Sequence, residues 1–248
     1  LTRAGGDAYL GEVAACDLAL GRLLTALGER GLDDSTLVVV VGDHGEAFGE
    51  HGEVSHGPYV WDRTLRVPLL VRRPGGTGGG ERVTELASVV DVFPTVLAAL
   101  GLEAAEDLDG IDLLSDAREE ERGLYFESYY GHFNLGWHPL AGWRTDEGKW
   151  IHGARELFFA ADDAGEEHDL AAGAPERGAR HAAALGELAQ KTRLAPDAEG
   201  LEAELKRALA GLGYAAMADE DTRVPEPTER LDLADPHARL EELVALQQ

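Results

Sequence analysis

The chain has 248 residues and a formal net charge of −25 at pH 7, which argues against binding to nucleic acid or to an anionic membrane surface. No run of about eighteen apolar residues occurs, so the sequence offers no transmembrane segment. The single cysteine, Cys16, excludes an internal disulfide. Because Leu1 is not an initiator methionine and no signal segment precedes the first helix, we expect a piece of a longer protein.

The first predicted element is an amphipathic helix over residues 7–31. Its leucines and valine recur at three- and four-residue spacing, and Gly31 supplies a stop signal. Cys16 lies on or near the apolar side of this helix, so we expect it to be a small buried core residue.

A β-branched run followed by a polar, glycine-rich loop is the most informative stretch. The run Val38–Val41 predicts a strand buried on both faces of a parallel sheet. Asp43 and His44 follow at its carboxyl end, where ligands bind in open parallel sheets, and His51 and His56 come next. A carboxylate beside an imidazole suits a divalent metal, with His56 placed to reach an anion. Each residue alone fits a cap or a solvated turn, whereas the set favours a site.

Further elements follow in order. Residues 65–72 predict a second strand, with Pro68 at an edge or a strand start. Residues 88–100 predict a helix with Asp91 as N-cap and Pro94 in the first turn. Four short aromatic-rich segments then predict a small antiparallel sheet: 124–128, 142–145, 149–152 and 156–159.

The C-terminal third is predicted to be helical and acidic. Helices are expected over 174–190, 201–212 and 236–246, with an acidic, proline-containing linker at 217–230. The last helix carries a narrow apolar stripe, so a helical repeat that binds a protein partner is an open expectation.

The segment from Gly42 to Glu46 (GDHGE), with its continuation HGPYVWDRTLRVPLLV, resembles the sulfatase family of the alkaline phosphatase superfamily. VDVFPTVLAALGL, GKWIHGARELFF and ALAGLGY are similar to later parts of bacterial members, some of which continue into tetratricopeptide repeats. The resemblance implies an α/β fold with an alkaline phosphatase-like, mainly parallel sheet flanked by helices, and a small antiparallel-sheet α+β subdomain. We therefore expect a catalytic part over 1–115 and the subdomain over 116–214, and the composition predicts an acidic linker with a terminal helix over 215–248.

By this resemblance, Asp43 and His44 are two protein ligands of one catalytic divalent metal. Calcium is the ion that the family implies, and manganese, magnesium and zinc stay open. His56 falls where many members have a lysine on the sulfate oxygens. A cationic His56 would bind sulfate and help the leaving oxygen depart, whereas a neutral one would ligate metal or orient Glu46 or His51.

The family's nucleophile is a formylglycine made from a C/S-x-P-x-R segment, which does not occur here, and Cys16 does not match it. We therefore expect the nucleophile in an N-terminal half that precedes this sequence, and we expect the chain alone to be inactive. The resemblance favours an extracytoplasmic or periplasmic location, whereas the sequence itself gives no compartment.

Three functions follow from these observations. The leading hypothesis is a metal-dependent sulfuric ester hydrolase acting on an anionic ester. The second is a phosphonate monoester or phosphodiester hydrolase of the same superfamily, and the third is a non-catalytic binding remnant.

The remaining aromatic and histidine residues carry weaker expectations. Trp137, His138 and Trp143 fit core packing better than a pocket rim, and Tyr129, Tyr130 and His132 are candidate substrate contacts. Four further histidines are expected at the surface: His152, His168, His181 and His237.

Overall fold

The computed structural model describes residues 8–105, 108–115 and 122–190. They form two compact units, the first from residues up to 42 with 68–115, and the second from 43–67 with 122–190. None of the helices in the described part combines the length and apolar character that a membrane span requires. The domain boundaries expected at 115 and 214 stay predictions. The expected helices at 201–212 and 236–246, the linker at 217–230 and His237 lie outside the described residues.

In the first unit, helix α1 (Ala8–Glu29) confirms the predicted first helix. It ends where Leu32 and Arg30 donate backbone hydrogen bonds to the carbonyl of Leu27. The expectation for Cys16 was wrong, because this residue is exposed. The reason is that α1 buries only Gly11 within the described part of the chain.

Strand β1 (Val38–Val41) forms as predicted and pairs with β2 (Leu69–Arg72). The pair is antiparallel, with Val38 opposite Arg72, and the N–H of Gly42 continues the ladder to the carbonyl of Pro68. Burial on both faces was the wrong expectation for β1 in the described residues. Its side chains are half-buried to exposed, because β2 is the one strand paired with it there.

Helix α3 (Val92–Ala99) follows a single 3₁₀ turn, and Pro94 lies in its first turn as predicted. Asp91 immediately precedes the helix, but its fully buried carboxylate turns backwards. It accepts hydrogen bonds from the N–H groups of Ser88 at 2.7 Å and Ile111 at 3.0 Å. Asp91 is therefore the N3 residue of a capping box that begins at Ser88, and its side chain does not act as the N-cap of α3 that the sequence predicted.

The second unit confirms the predicted antiparallel sheet, with strand order β3-β4-β5-β6. Its strands are β3 (Leu124–Ser128), β4 (Leu140–Thr145), β5 (Gly148–His152) and β6 (Leu157–Ala160). Its helices are α2 (Asp62–Leu65), α4 (Tyr130–Leu135) and α5 (Pro175–Gln190). The buried core contains Tyr59, Val60, Trp61, Trp137, Leu140, Ile151, Leu157 and Phe159. Segment 43–67 thus contributes three residues to the core of this unit.

A buried ion cluster fixes segment 43–67 to the sheet. The ammonium of Lys149 on β5 is fully buried, and it donates to Asp62 at 3.0 Å and to Glu166 at 2.7 Å. Glu166 also accepts the N–H of Asp62 at 2.7 Å. Because charges are buried only when they are paired, these bonds hold the end of the segment in one position.

Helix α5 packs on Trp150. The expectation that His181 on this helix lies at the surface was wrong. His181 is 7% exposed, and its ring stacks on Trp150 with centroids 5.8 Å apart. Gly178, one turn earlier, permits the close approach, because a Cβ there would meet the indole at 2.6 Å. Burial lowers the pKa of His181.

Candidate active site

The loop after β1 is shaped by a glycine that no other residue can replace without movement. The N–H of Gly45 donates to the carbonyl of Thr64 at 2.7 Å, and a Cβ on Gly45 would lie 2.1 Å from the carbonyl oxygen of Arg63. Further along, Ala47 donates to the carbonyl of Ser55 at 3.0 Å. These bonds fold the loop back on itself, so that residues ten positions apart in sequence meet.

The loop brings His44, Glu46 and His56 together. The two imidazole rings stack with centroids 3.7 Å apart and an interplanar angle of 24°. His56 Nδ1 lies 3.2 Å from Glu46 Oε2. One ligand atom from each of the three residues lies within 4.8 Å of the others. The predicted contact of His56 with Glu46 is therefore present, and Glu46 joins the cluster.

The hydrogen bond that His44 makes with the backbone determines which of its ring nitrogens has a lone pair. Its Nδ1 lies 2.9 Å from the carbonyl oxygen of Gly45. Since a carbonyl oxygen only accepts, Nδ1 carries the proton and Nε2 is unprotonated in the neutral ring. A hydrogen bond of this kind is the usual support for a histidine that binds a metal through its other nitrogen.

Asp43 stands beside His44 and points toward solvent, with 91% of its side chain exposed. Its carboxylate accepts the N–H of His44 at 3.0 Å, and this bond lowers the pKa of Asp43. Asp43 Oδ2 lies 3.8 Å from His44 Nε2. An ion bound at about 2.0–2.4 Å spans two such atoms, so the pair fits a divalent metal as a two-donor half-site.

His51 and the tyrosines have other surroundings. His51 stacks on Trp61 with centroids 4.1 Å apart, and its Nε2 lies 2.9 Å from the carbonyl oxygen of Gly165. His51 therefore anchors the loop, which its positive φ of 51° also marks as a special conformation. Tyr130 is exposed and its ring lies against Gly57, next to His56.

The remaining tryptophans and histidines named in the sequence analysis lie in the core or at the surface. Trp137 is a core residue, as predicted, and Trp143 packs edge-on against Tyr125 with centroids 5.6 Å apart. His132 Nδ1 lies 3.1 Å from the carbonyl oxygen of Trp137. His152 and His168 are exposed, as predicted.

Glu53 is the group that the sequence did not indicate. It is 2% exposed, and burial raises its pKa to about 7. Its Oε1 accepts the N–H of Tyr59 at 3.4 Å, whereas Oε2 has no hydrogen-bond partner among the described residues. An acidic residue in a polar glycine-rich loop normally lies in solvent, so only the tertiary packing reveals it.

Comparison with solved structures identifies the fold class. The chain superposes on BT4656, solved with its substrate D-glucosamine-2-N,6-O-disulfate, with a TM-score of 0.62 and 26% identity over 73% of this chain and 39% of that one. It superposes on the phosphonate monoester hydrolase of Agrobacterium radiobacter with a TM-score of 0.58 and 29% identity, over 73% of this chain and 40% of that one. The predicted alkaline phosphatase-like α/β fold is confirmed.

Comparison of sequences shows which family the site-bearing segment is similar to. Residues 6–102 match the family model described as Sulfatase. The uncharacterized sulfatase YidJ of Escherichia coli (strain K12) is 32% identical over 163 residues, which are 62% of this chain and 31% of that protein. The resemblance to the sulfatase family is therefore confirmed, and its members are hydrolases of sulfate esters. The chain spans less than a third of the length of the curated relatives it matches.

Proposed function

We propose that this chain forms part of a metal-dependent sulfuric ester hydrolase. One observation carries the proposal: a loop within a sulfatase-type segment brings a carboxylate–imidazole pair, Asp43 and His44, next to a second imidazole, His56. Hydrolysis of a sulfate ester needs neutralised ester oxygens and a protonated leaving oxygen, and these residue types supply both.

Asp43 and His44 would hold the ion. The exposed carboxylate of Asp43 and the unprotonated Nε2 of His44 face the same space 3.8 Å apart. A divalent ion held there would supply positive charge to the ester oxygens. Calcium is the ion we propose on the family resemblance, and the imidazole donor also suits manganese or zinc.

His56 is the proposed substrate-binding and acid residue. Its Nδ1 lies 3.2 Å from the carboxylate of Glu46, which accepts a hydrogen bond from Nδ1–H and so fixes the ring. Nε2 is then the atom that donates to a sulfate oxygen or to the departing oxygen. Tyr130 is a further proposed substrate contact, which its exposure and the position of its ring against Gly57 support.

The overall charge makes local cationic groups necessary. With a net charge of −25, the general field of the chain repels an anionic ester. A bound divalent cation would reverse the sign of the potential locally, and an imidazole donor such as His56 would add a hydrogen bond to the anion.

We assign the nucleophile to a formylglycine segment outside the printed sequence. Cys16, the one cysteine, lies within α1 and has no proline and arginine at the positions that the formylglycine segment requires. Residues 43–56 then contribute metal binding, anion binding and proton donation, and the chain alone does not turn over.

Phosphonate monoester hydrolysis is the second candidate. The observation that favours it is the fold match at 29% identity to the phosphonate monoester hydrolase of Agrobacterium radiobacter. The same carboxylate, imidazole and acid residue serve either ester, because both substrates present anionic oxygens and an oxygen leaving group.

Two substitutions in the intact gene product test these roles. Asp43→Ala should abolish turnover of an aryl sulfate together with binding of the ion that supports it. His56→Ala should lower kcat by about 10²–10⁴-fold while the ion is retained. His168→Ala, at an exposed histidine beside Asp163, is the matched control and should change neither. Full activity of Asp43→Ala would refute the proposal that Asp43 binds the ion. Loss of the ion in His56→Ala would show that His56 is a metal ligand.

A further inference from the structure

We propose that His44, Glu46 and His56 together chelate a transition-metal ion of the Zn²⁺ class. This site shares His44 Nε2 with the Asp43–His44 pair but takes its other donors from Glu46 and His56, so an ion held by one set excludes an ion held by the other. Occupation of the site would withdraw His56 from the substrate. The withdrawal rests on the proposed function, whereas the chelation does not.

The three donors are already assembled without an ion. His44 offers Nε2, because its Nδ1–H is engaged with the carbonyl of Gly45 at 2.9 Å. The carboxylate of Glu46 and the ring of His56 lie against each other at 3.2 Å. In the described part of the chain, this is the group of three or more histidine, cysteine or acidic residues whose ligand atoms lie close enough to share an ion.

The spacing requires only a small closure. Zinc ligands at about 2.0–2.1 Å in tetrahedral geometry lie about 3.4 Å from one another. The three ligand atoms lie within 4.8 Å, so the widest pair closes by little more than an ångström. The side chains of His44 and His56 are each 40% exposed and that of Glu46 is 23% exposed, so an ion can reach all three from solvent.

The donor types select the ion. Two imidazoles and one carboxylate form a borderline-soft set that zinc accepts readily, as in catalytic sites with a fourth position for water. Calcium instead requires six to eight oxygen ligands, and these three residues offer carboxylate oxygen from one side chain only. The set therefore discriminates against the ion proposed for Asp43 and His44.

The His168–Asp163 pair offers two donors of the same types, without the third donor that the cluster of His44, Glu46 and His56 has. The imidazole and carboxylate of these two residues lie 3.5 Å apart, but no third donor joins them among the described residues. A pair of that kind binds zinc weakly, so it serves as an internal control of similar chemistry.

The test is isothermal calorimetry of the metal-free intact gene product with ZnCl₂. We expect one Zn²⁺ per chain, and we expect His44→Ala, Glu46→Gln and His56→Ala each to weaken binding by at least about tenfold. Asp43→Asn and His168→Ala should weaken it by less than about threefold. Wild-type affinity in Glu46→Gln and His56→Ala, or an equal loss in Asp43→Asn and His44→Ala, would overturn the proposal.

A second measurement needs no substitution. In the wild-type intact gene product labelled with ¹⁵N-histidine, ZnCl₂ should shift the side-chain signals of His44 and His56 and leave that of His168 unchanged. The reverse pattern would refute the site. Zinc binding by a protein that hydrolyses no sulfate ester would refute the proposed function alone, whereas turnover in the absence of zinc binding would refute the chelate alone.

Discussion

Glu53 provides a quantitative test of how segment 43–67 packs. Its carboxyl group is 2% exposed, and one of its oxygens has no hydrogen-bond partner among the described residues. Burial therefore raises its pKa from 4.5 to about 7. Glu53→Gln keeps an acceptor for the N–H of Tyr59, which lies 3.4 Å away, but it removes the charge that forms at high pH.

The size and sign of the effect follow from proton linkage. Between pH 4.5 and about 7 the folded state binds more protons at Glu53 than the unfolded state, so rising pH lowers the free energy of unfolding. Each pKa unit corresponds to about 1.4 kcal/mol, so ionised Glu53 costs the folded state about 3 kcal/mol above pH 7. Glu53→Gln should recover this energy at pH 8 and should have almost no effect at pH 4.

Thermal unfolding of the chain at several pH values measures the difference. At pH 8 the variant should melt about 6–12 °C above wild type, because 1 kcal/mol moves Tm by about 2–4 °C in chains of 150–250 residues. Glu50→Gln is the control, since Glu50 lies in the same loop and its pKa is lowered by the N–H of Phe48; it should give no gain at pH 8. A Tm difference for Glu53→Gln that is the same at pH 4 and pH 8 would refute the burial of this carboxyl group.

Three further substitutions test interactions that stabilise the second unit. Lys149→Met should lower the free energy of unfolding by about 3–5 kcal/mol in urea denaturation, because Glu166 would stay buried without its partner. Gly45→Ala should lower stability by about 1–3 kcal/mol and weaken metal binding in calorimetry, because the new Cβ would meet the carbonyl of Arg63 at 2.1 Å. His181→Phe should reduce the loss of Tm between pH 7.5 and pH 5.5, because the buried imidazole has a lowered pKa and its protonation favours unfolding.

Each of these has a matched comparison in the same chain. Arg180→Met breaks an exposed pair with Glu147 and should cost less than about 1 kcal/mol, so an equal loss in Lys149→Met would contradict the buried cluster. Gly21→Ala lies in α1 with no atom within 4 Å of the new Cβ and should not weaken metal binding. A pH dependence of His181→Phe equal to wild type would contradict the buried imidazole.

Local sequence patterns predicted those elements whose partners are near in sequence. The four aromatic segments between Leu124 and Ala160 are neighbours along the chain, so turn residues between them were enough to predict an antiparallel meander. The run Val38–Val41 likewise predicted a strand, because β-branched residues favour extended backbone whatever their neighbours.

Burial and side-chain contacts depended on tertiary packing and were less predictable. Cys16 lies on an amphipathic helix, but periodicity does not reveal which described residues cover that helix. His181 is buried because Gly178 lets α5 approach Trp150, and the pattern of a small residue one turn before the histidine was the available signal.

In the candidate site, too, some residues could be predicted from the sequence, whereas their contacts depended on tertiary packing. Asp43, His44 and His56 were identified from motif and resemblance, and their roles stay predictions. The contact between Glu46 and His56 depends on the backbone path that Gly45 permits, so sequence spacing alone did not place Glu46 among the donors.

The most direct test of the central claim is the rate at which the intact gene product hydrolyses an aryl sulfate and the matched phenyl phosphonate monoester. We expect a higher kcat/KM for the sulfate, with turnover lost in Asp43→Ala and unchanged in His168→Ala. A higher kcat/KM for the phosphonate would instead support the second candidate function, phosphonate monoester hydrolysis. Hydrolysis of neither ester by a protein that carries its nucleophile segment would contradict the account.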